Sequence, residues 1–505
     1  MASTFAVTRN HLLFGICLPV ALLLGYLLAD AQDPTSLVIV ALGFGVLSFP
    51  LLIKWYHPAL VLCWNMNAQP ALPGQPELWA VMAFLTIGFT VLNRAMTKEA
   101  RFAPVPALTL PLVTLLVIIA GTALLSGGFS VGALKSGSVG GKNYFYLVGA
   151  VVGYFVLSHK AIPRARAGFY VALFFLPGIM AAAPRVANLF GGKAAELVYL
   201  IWPPDFILEA NATVEMMTQA DSRLRGVATA ATLVFFWLLA RVGVRGIFDW
   251  TKPWQGGLFL LTLVGGALGG FRSVAIMMLL TFGLLFYMEK LWRTRIILVV
   301  VGVSLITGAL ISGFSEKMPL AIQRTLSFLP LELDPMVKIS ADDSSEWRLE
   351  LWQEAWKQVP TYLFKGKGYT FNVDDMYMAN YSFLVGNARN WEWALISGDY
   401  HNGPLSLLIP FGIYGLLAFL WLILAGCRYL YQVYRDGPPE LRRINALLFA
   451  YFMGRAVFFF TIYGAVAHDL YVFTGILGLS VALNVPDQPK TEPLPNAELE
   501  PSPQI

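Results

Sequence analysis

Charge is scarce in this sequence. Asp, Glu, Lys and Arg make up 13% of the 505 residues, against about 25% in ordinary soluble domains, too few to cover a water-facing surface. Cysteine is scarcer still: Cys17, Cys63 and Cys427 are the whole supply. All three lie in or at the ends of apolar runs, so neither a disulfide framework nor a cysteine metal cluster is indicated. There are only five histidines. No carboxylate cluster is present to hold Mg²⁺, and neither a metal nor another cofactor is expected. The formal net charge of +5 does not point to nucleic acid, because most Lys and Arg fall in short loops where membrane topology alone demands them.

Hydrophobicity, by contrast, is abundant: 57% of residues are apolar and the mean hydropathy is +0.64. A hydrocarbon core about 30 Å thick takes about 20 apolar residues per helix, and about 12 to 14 runs qualify or nearly do. Backbone groups in lipid must be satisfied internally, and these runs are too long and too uniformly apolar for barrel strands. The expected fold is an all-α polytopic bundle of transmembrane helices with a large, partly helical outer loop. The run at 11–28 precedes "ADAQD", which imitates a signal cleavage site, but membrane helices following at once favour an uncleaved first helix. Alternate loops differ in charge. One set carries Arg94, Lys98 and Arg101; Lys160, Arg164 and Arg166; Arg241, Arg245 and Lys252; Lys290, Arg293 and Arg295; and Arg428, Arg435, Arg442 and Arg443. The positive-inside bias places these in the cytoplasm and the remaining loops outside. The expected organisation is a bundle over 1–313 with a shorter outer loop at about 185–225, a large outer loop over 314–402, further spans over 403–484, and a Pro-rich, disordered cytoplasmic tail over 485–505. In the large loop, Asp343 and Glu346 resemble a capping box, Leu349, Trp352 and Trp356 share one helical face, and Pro360 is expected to end that helix.

By this topology three polar landmarks emerge on the outer face. Arg272 follows the Gly269–Gly270 pair at the start of a helix, "GGFRS", where free N–H groups favour an anion and a guanidinium adds bidentate phosphate recognition. Its charge opposes the helix dipole there, which suits a ligand better than helix stability; the other reading is an arginine snorkelling to lipid headgroups. Arg348 lies on the loop helix, where a headgroup-facing arginine is the ordinary reading. His401 and Asn402 precede an apolar helix, "HNGPLSLLIPFGIYGLL". A helix N-terminus disfavours imidazolium, which leaves the ring ready to accept a proton, while Asn402 also reads as a plain N-cap. Asp399 orients that ring or merely solvates the loop. Gly366 and Gly368 around Lys367 form a turn suited to close approach of a substrate. Arg455 falls near the middle of a span, where it must face the bundle interior, either paired with a carboxylate or carbonyls or touching a lipid phosphate.

Four pieces in order, "GGFRS", "RLELWQEAW", "FKGKGYTF" and "HN" followed by a helix with a G-x-x-G-L element, resemble the O-antigen ligase and polymerase family of bacterial envelope glycosyltransferases. The likeness covers about residues 250–430. This resemblance implies transfer of a glycan from an undecaprenyl-diphosphate-type carrier to an acceptor hydroxyl on the periplasmic side of the inner membrane, without a metal and with inversion. By the same analogy Arg272 and Arg348 hold the diphosphate and His401 serves the acceptor, with Asp399, Asn402, Gly366, Gly368 and Arg455 in support. The acceptor is a lipid A core sugar, the growing glycan or a protein hydroxyl, and the residues do not choose among them. The competing reading is a transporter or lipid flippase. It would place ionisable residues at the midplane, where this chain has essentially Arg455 alone.

Overall fold

A computed structural model of the chain describes residues 54–70, 74–97, 105–126, 139–204, 224–369 and 391–485, with Pro19, Leu22, Gly25, Ile39, Gly43 and Leu52. The expected first span and its cleavage signal, most of the second span, Cys17 and the expected tail lie outside the described residues, apart from those isolated positions and Val485. Every regular element among the described residues is helical. The principal helices are α1 (Leu78–Thr97), α2 (Pro106–Leu125), α3 (Val139–Ser158), α4 (Arg225–Ile247), α5 (Pro253–Ala267), α6 (Arg272–Met288), α7 (Ile296–Phe314), α8 (Pro335–Tyr362), α9 (Gly403–Asp436), α10 (Arg442–Thr461) and α11 (Val466–Asn484). Seven helices among the described residues are long and apolar enough to cross a membrane, and Leu78–Val91 and Arg272–Met288 are shorter apolar helices. The chain is an all-α polytopic membrane protein.

Helix α11 lies against α3, α9 packs on α2 and α10, and α10 also touches α4 and α6. Aromatic side chains fill the seams: Trp64, Phe236, Phe419, Phe452 and Phe473 are buried in one continuous core. Between helices in lipid, close packing replaces hydrophobic drive, and small residues permit it. Gly153 and Gly475 receive Trp64 from two sides, and an added Cβ would stand 2.3 Å and 2.1 Å from its ring atoms.

The loop helix α8 departs from the sequence expectation at both ends. It begins at Pro335, with the Asp334 side chain accepting from the Met336 N–H, because an Asp cap with proline in the first turn is a stronger start than the Asp343–Glu346 pair. Pro360 does not end it; the helix runs on to Tyr362, since a proline in the last turn forfeits only one hydrogen bond. Its apolar face also differs. Leu351, Ala355 and Val359 are buried and Trp352 half-buried, while Leu349 and Trp356 are exposed. Ala355 and Val359 form a small second core with Tyr400, Leu405 and Ile409, which anchors the loop helix to the first turns of α9.

Helix α9 is broken at Gly412 (φ 67°, ψ −168°), two residues after Pro410. A break inside a membrane bundle leaves backbone groups that must find partners. The turn after α8 supplies them: Lys367 N–H donates to Ile409 O (2.8 Å), Gly368 N–H to Pro410 O (2.9 Å), and Ile413 N–H to Leu363 O (2.6 Å). Gly366 and Gly368, both at positive φ, thus serve this joint between two chain segments. A Cβ on Gly366 would lie 2.5 Å from Pro410 O.

Candidate active site

Arg272 opens α6 behind Gly270, whose φ of 69° turns the chain out of α5. Its Nη2 donates to Ala341 O (3.2 Å) and Ser345 Oγ (3.4 Å) on α8, so the loop helix is held to the membrane helix by the arginine expected to bind substrate. One turn further along α8 stands Arg348. Burial, and then the Arg272 guanidinium beside it, pull Arg348 below the ordinary arginine value. Both line a cavity of about 270 Å³ together with Arg324, Phe271, Phe328 and Ile462. Arg324 donates to the Ser340 hydroxyl. Three guanidinium groups therefore share one small wall without a carboxylate among its lining residues, a chemistry suited to an anionic ligand.

His401 does not line that cavity but stands next to it. Its ring lies edge-on to Trp347 (5.0 Å between centroids) and to Tyr463 (4.9 Å). Trp347 precedes Arg348 on α8, and Tyr463 follows Ile462, which lines the cavity with Arg348, so these two aromatic residues join histidine and arginines into one neighbourhood. Burial, with Asp399 and Asp469 nearby, pushes the Tyr463 hydroxyl up and keeps it a neutral donor. The backbone at His401 is left-handed (φ 50°), a conformation rare outside glycine and frequent where a side chain is aimed for function. His401 Nε2 lies 3.4 Å from Asp399 Oδ2. Burial raises the Asp399 carboxyl, but the hydrogen bond and charge of His401, and the charge of His468, more than offset it and hold the group below its usual value.

Polar atoms without a hydrogen-bond partner in the protein gather here: Trp347 Nε1, Arg348 Nε, Asp399 Oδ1 and His401 Nδ1 are all buried and unpaired. Buried polar groups are normally satisfied, and exceptions mark strain or a place where a ligand binds. Asn402 acts as the N-cap of α9, its Oδ1 accepting from Leu405 N–H (3.1 Å), so the capping reading holds for that residue. Arg455 is held in an ion pair with Asp469, which also accepts from Ala465 N–H (2.8 Å); of the two readings open for it, the carboxylate pair is present. Arg324, Trp347 and Tyr463 were not singled out from the sequence. Arg324 had one available signal, a basic residue in the same outer loop as Arg348; the two aromatic residues had none.

No curated protein matches the chain. Residues 257–420 match the family model described as O-antigen ligase, a stretch that contains Arg272, Arg324, Arg348, Asp399 and His401. The match supports glycan transfer at a membrane in broad terms, by a glycosyltransferase-like enzyme. Over residues 257–420, this multi-pass membrane protein is thus similar to the O-antigen ligase family.

Proposed function

We propose that the chain transfers a glycan from a polyprenyl-diphosphate carrier, of the undecaprenyl type, to an acceptor hydroxyl at the periplasmic end of the bundle. The observation that carries this reading is the gathering of Arg272, Arg324 and Arg348 in a cavity without a carboxylate, beside a histidine with one ring nitrogen buried and unpaired. The acceptor oxygen attacks the anomeric carbon. The bond from that carbon to the diphosphate breaks with its electron pair on the diphosphate, and the hydroxyl proton passes to His401 Nδ1. Asp399, on the far ring nitrogen, holds the imidazole in place and favours the imidazolium that forms. The guanidinium groups stabilise charge growing on the leaving diphosphate, which requires no metal in this reading. A single displacement inverts the anomeric carbon. The acceptor is a sugar hydroxyl, on a lipid A core or on the growing glycan.

The test is transfer in membranes from a polyprenyl-diphosphate-linked glycan. His401→Ala is expected to lose about 10²–10⁴-fold in rate, and Arg272→Lys and Arg348→Lys about 10²-fold or more. Product analysis by NMR should show the inverted linkage. Undiminished transfer by all three variants would sink the reading, as would flipping of a labelled carrier lipid in liposomes with no glycosidic bond formed.

A further inference from the structure

The opposite end of the bundle carries a second and larger cavity. Arg272, Gly403 and Ile462 stand at one end of α6, α9 and α10, whereas Met288, Tyr434 and Arg442, at their other ends, line a cavity of about 1100 Å³. Arg241, Arg245, Lys252, Lys290, Arg442 and Arg443 line it too, against the two carboxylates Asp249 and Glu289. Neither carboxylate forms an ion pair with these cations among the described residues. Glu289 is committed to backbone, accepting from Val244 N–H (2.8 Å) and Arg245 N–H (3.0 Å) where Gly243 (φ 68°) breaks α4. Asp249 accepts from Thr251 N–H and Oγ1–H (2.9 and 2.6 Å). The charge bias of membrane loops accounts for cations at this end. It does not account for their convergence from three separate chain segments on one concave space, nor for a left-handed backbone at Lys290 (φ 56°).

Two further observations narrow the ligand. An adjoining cavity of about 700 Å³ shares Arg241 and Arg443 with the first and adds Arg164 beside one carboxylate, Glu440, so cations outnumber carboxylates across both. Trp254 in the wall, with Trp250, Tyr287 and Trp292 nearby, is exposed, and exposed tryptophan and tyrosine mark the depth of lipid headgroups. We propose that this cavity binds the phosphates of an anionic phospholipid headgroup, and that a headgroup with two phosphates fits it best. The cations supply charge-assisted hydrogen bonds to the phosphate oxygens, and the aromatic residues set the mouth of the cavity where a lipid, rather than a free phosphate, presents them.

The full-length protein in detergent micelles is titrated with diphosphatidylglycerol, phosphatidylglycerol, phosphatidylcholine or inorganic pyrophosphate, and bound ligand is read by native mass spectrometry. Diphosphatidylglycerol should bind tightest and phosphatidylcholine weakest. Arg442→Gln with Arg443→Gln should weaken diphosphatidylglycerol about thirtyfold. Lys160→Gln with Arg166→Gln, the same charge change at the same end but outside both cavities, should stay within about twofold. Arg442→Lys with Arg443→Lys, which preserves charge and guards against misfolding, should keep most of the affinity. Equal losses in the two glutamine pairs, or loss in the lysine pair equal to that in Arg442→Gln with Arg443→Gln, would overturn the proposal. So would pyrophosphate binding as tightly as the lipid, which would make this a soluble-phosphate site, or phosphatidylglycerol matching diphosphatidylglycerol, which would remove the two-phosphate preference.

Discussion

At the scale of single residues, Arg455 and Asp469 illustrate how costly a buried charge becomes when its partner is removed. Asp469 is 1% exposed and divides its oxygens between Arg455 and the Ala465 N–H. Asp469→Ala should therefore destabilise the protein by about 3–5 kcal/mol, and Arg455→Met with Asp469→Leu should recover most of that loss; thermal unfolding in detergent reads both. Asn402→Ala removes a cap from α9 and should cost about 1 kcal/mol of stability. For Asp399 the sign runs with pH. Its folded-state value lies below the ordinary 3.8, so its pairing with His401 contributes stability that is fully present above about pH 4 and lost as pH falls through the folded value. Asp399→Asn should flatten the acid limb of an unfolding-against-pH curve below about pH 4 and leave the curve above about pH 5 unchanged in slope. Arg272 and His401 were legible as single letters because glycine, asparagine and proline punctuate the helix starts beside them. Tyr463 was not: it follows the last residues of α10, and nothing in a linear chain says that this turn meets a loop helix more than a hundred residues earlier.

At the scale of elements, backbone joins the loop to the membrane bundle as well as side chains do. The motifs "FKGKGYTF" and "PFGIYG" were legible as glycine-rich pieces; that each completes the other's hydrogen bonds was not, because hydrogen-bond pairing between distant segments leaves no local pattern. Gly366→Ala places a Cβ against Pro410 O in a left-handed backbone. The conformation alone costs about 1–2 kcal/mol, and the clash adds to it. The expected outcome is a protein with a lower melting temperature and impaired transfer, since the same joint fixes where α8 presents Arg348. Helix α8 itself was foreseen, but with its start nine residues late and with part of its apolar stripe turned the wrong way. Near a membrane surface, Leu349 and Trp356 gain from exposure to lipid headgroups, so apolar residues on such a helix do not all report a protein-facing side.

For the whole molecule, the two ends of the bundle differ in kind: one gathers guanidinium groups, a histidine and unpaired polar atoms, the other a broad field of cations with an aromatic fringe. The charge bias predicts that the cation-rich end faces the cytoplasm. In a cysteine-free background, a cysteine at exposed Lys357 should react with a membrane-impermeant maleimide added to intact cells with a permeabilised outer membrane, and one at Lys290 should react only after the inner membrane is opened. The reverse pattern would refute the periplasmic placement of the proposed reaction.

Helix α6 has 17 residues between Phe271 and Glu289, about 25 Å at 1.5 Å per residue. The surrounding acyl layer is about 5 Å thicker. Lipids beside this helix must thin to match it, or the ends of the helix must sit beneath the average lipid surface, at a modest cost per ångström in either case. In the proposed reaction, Arg272 is then brought down to the level at which the carrier lies, instead of the carrier being lifted toward solvent. Transfer reconstituted in bilayers of graded acyl length should accordingly slow as the chains lengthen.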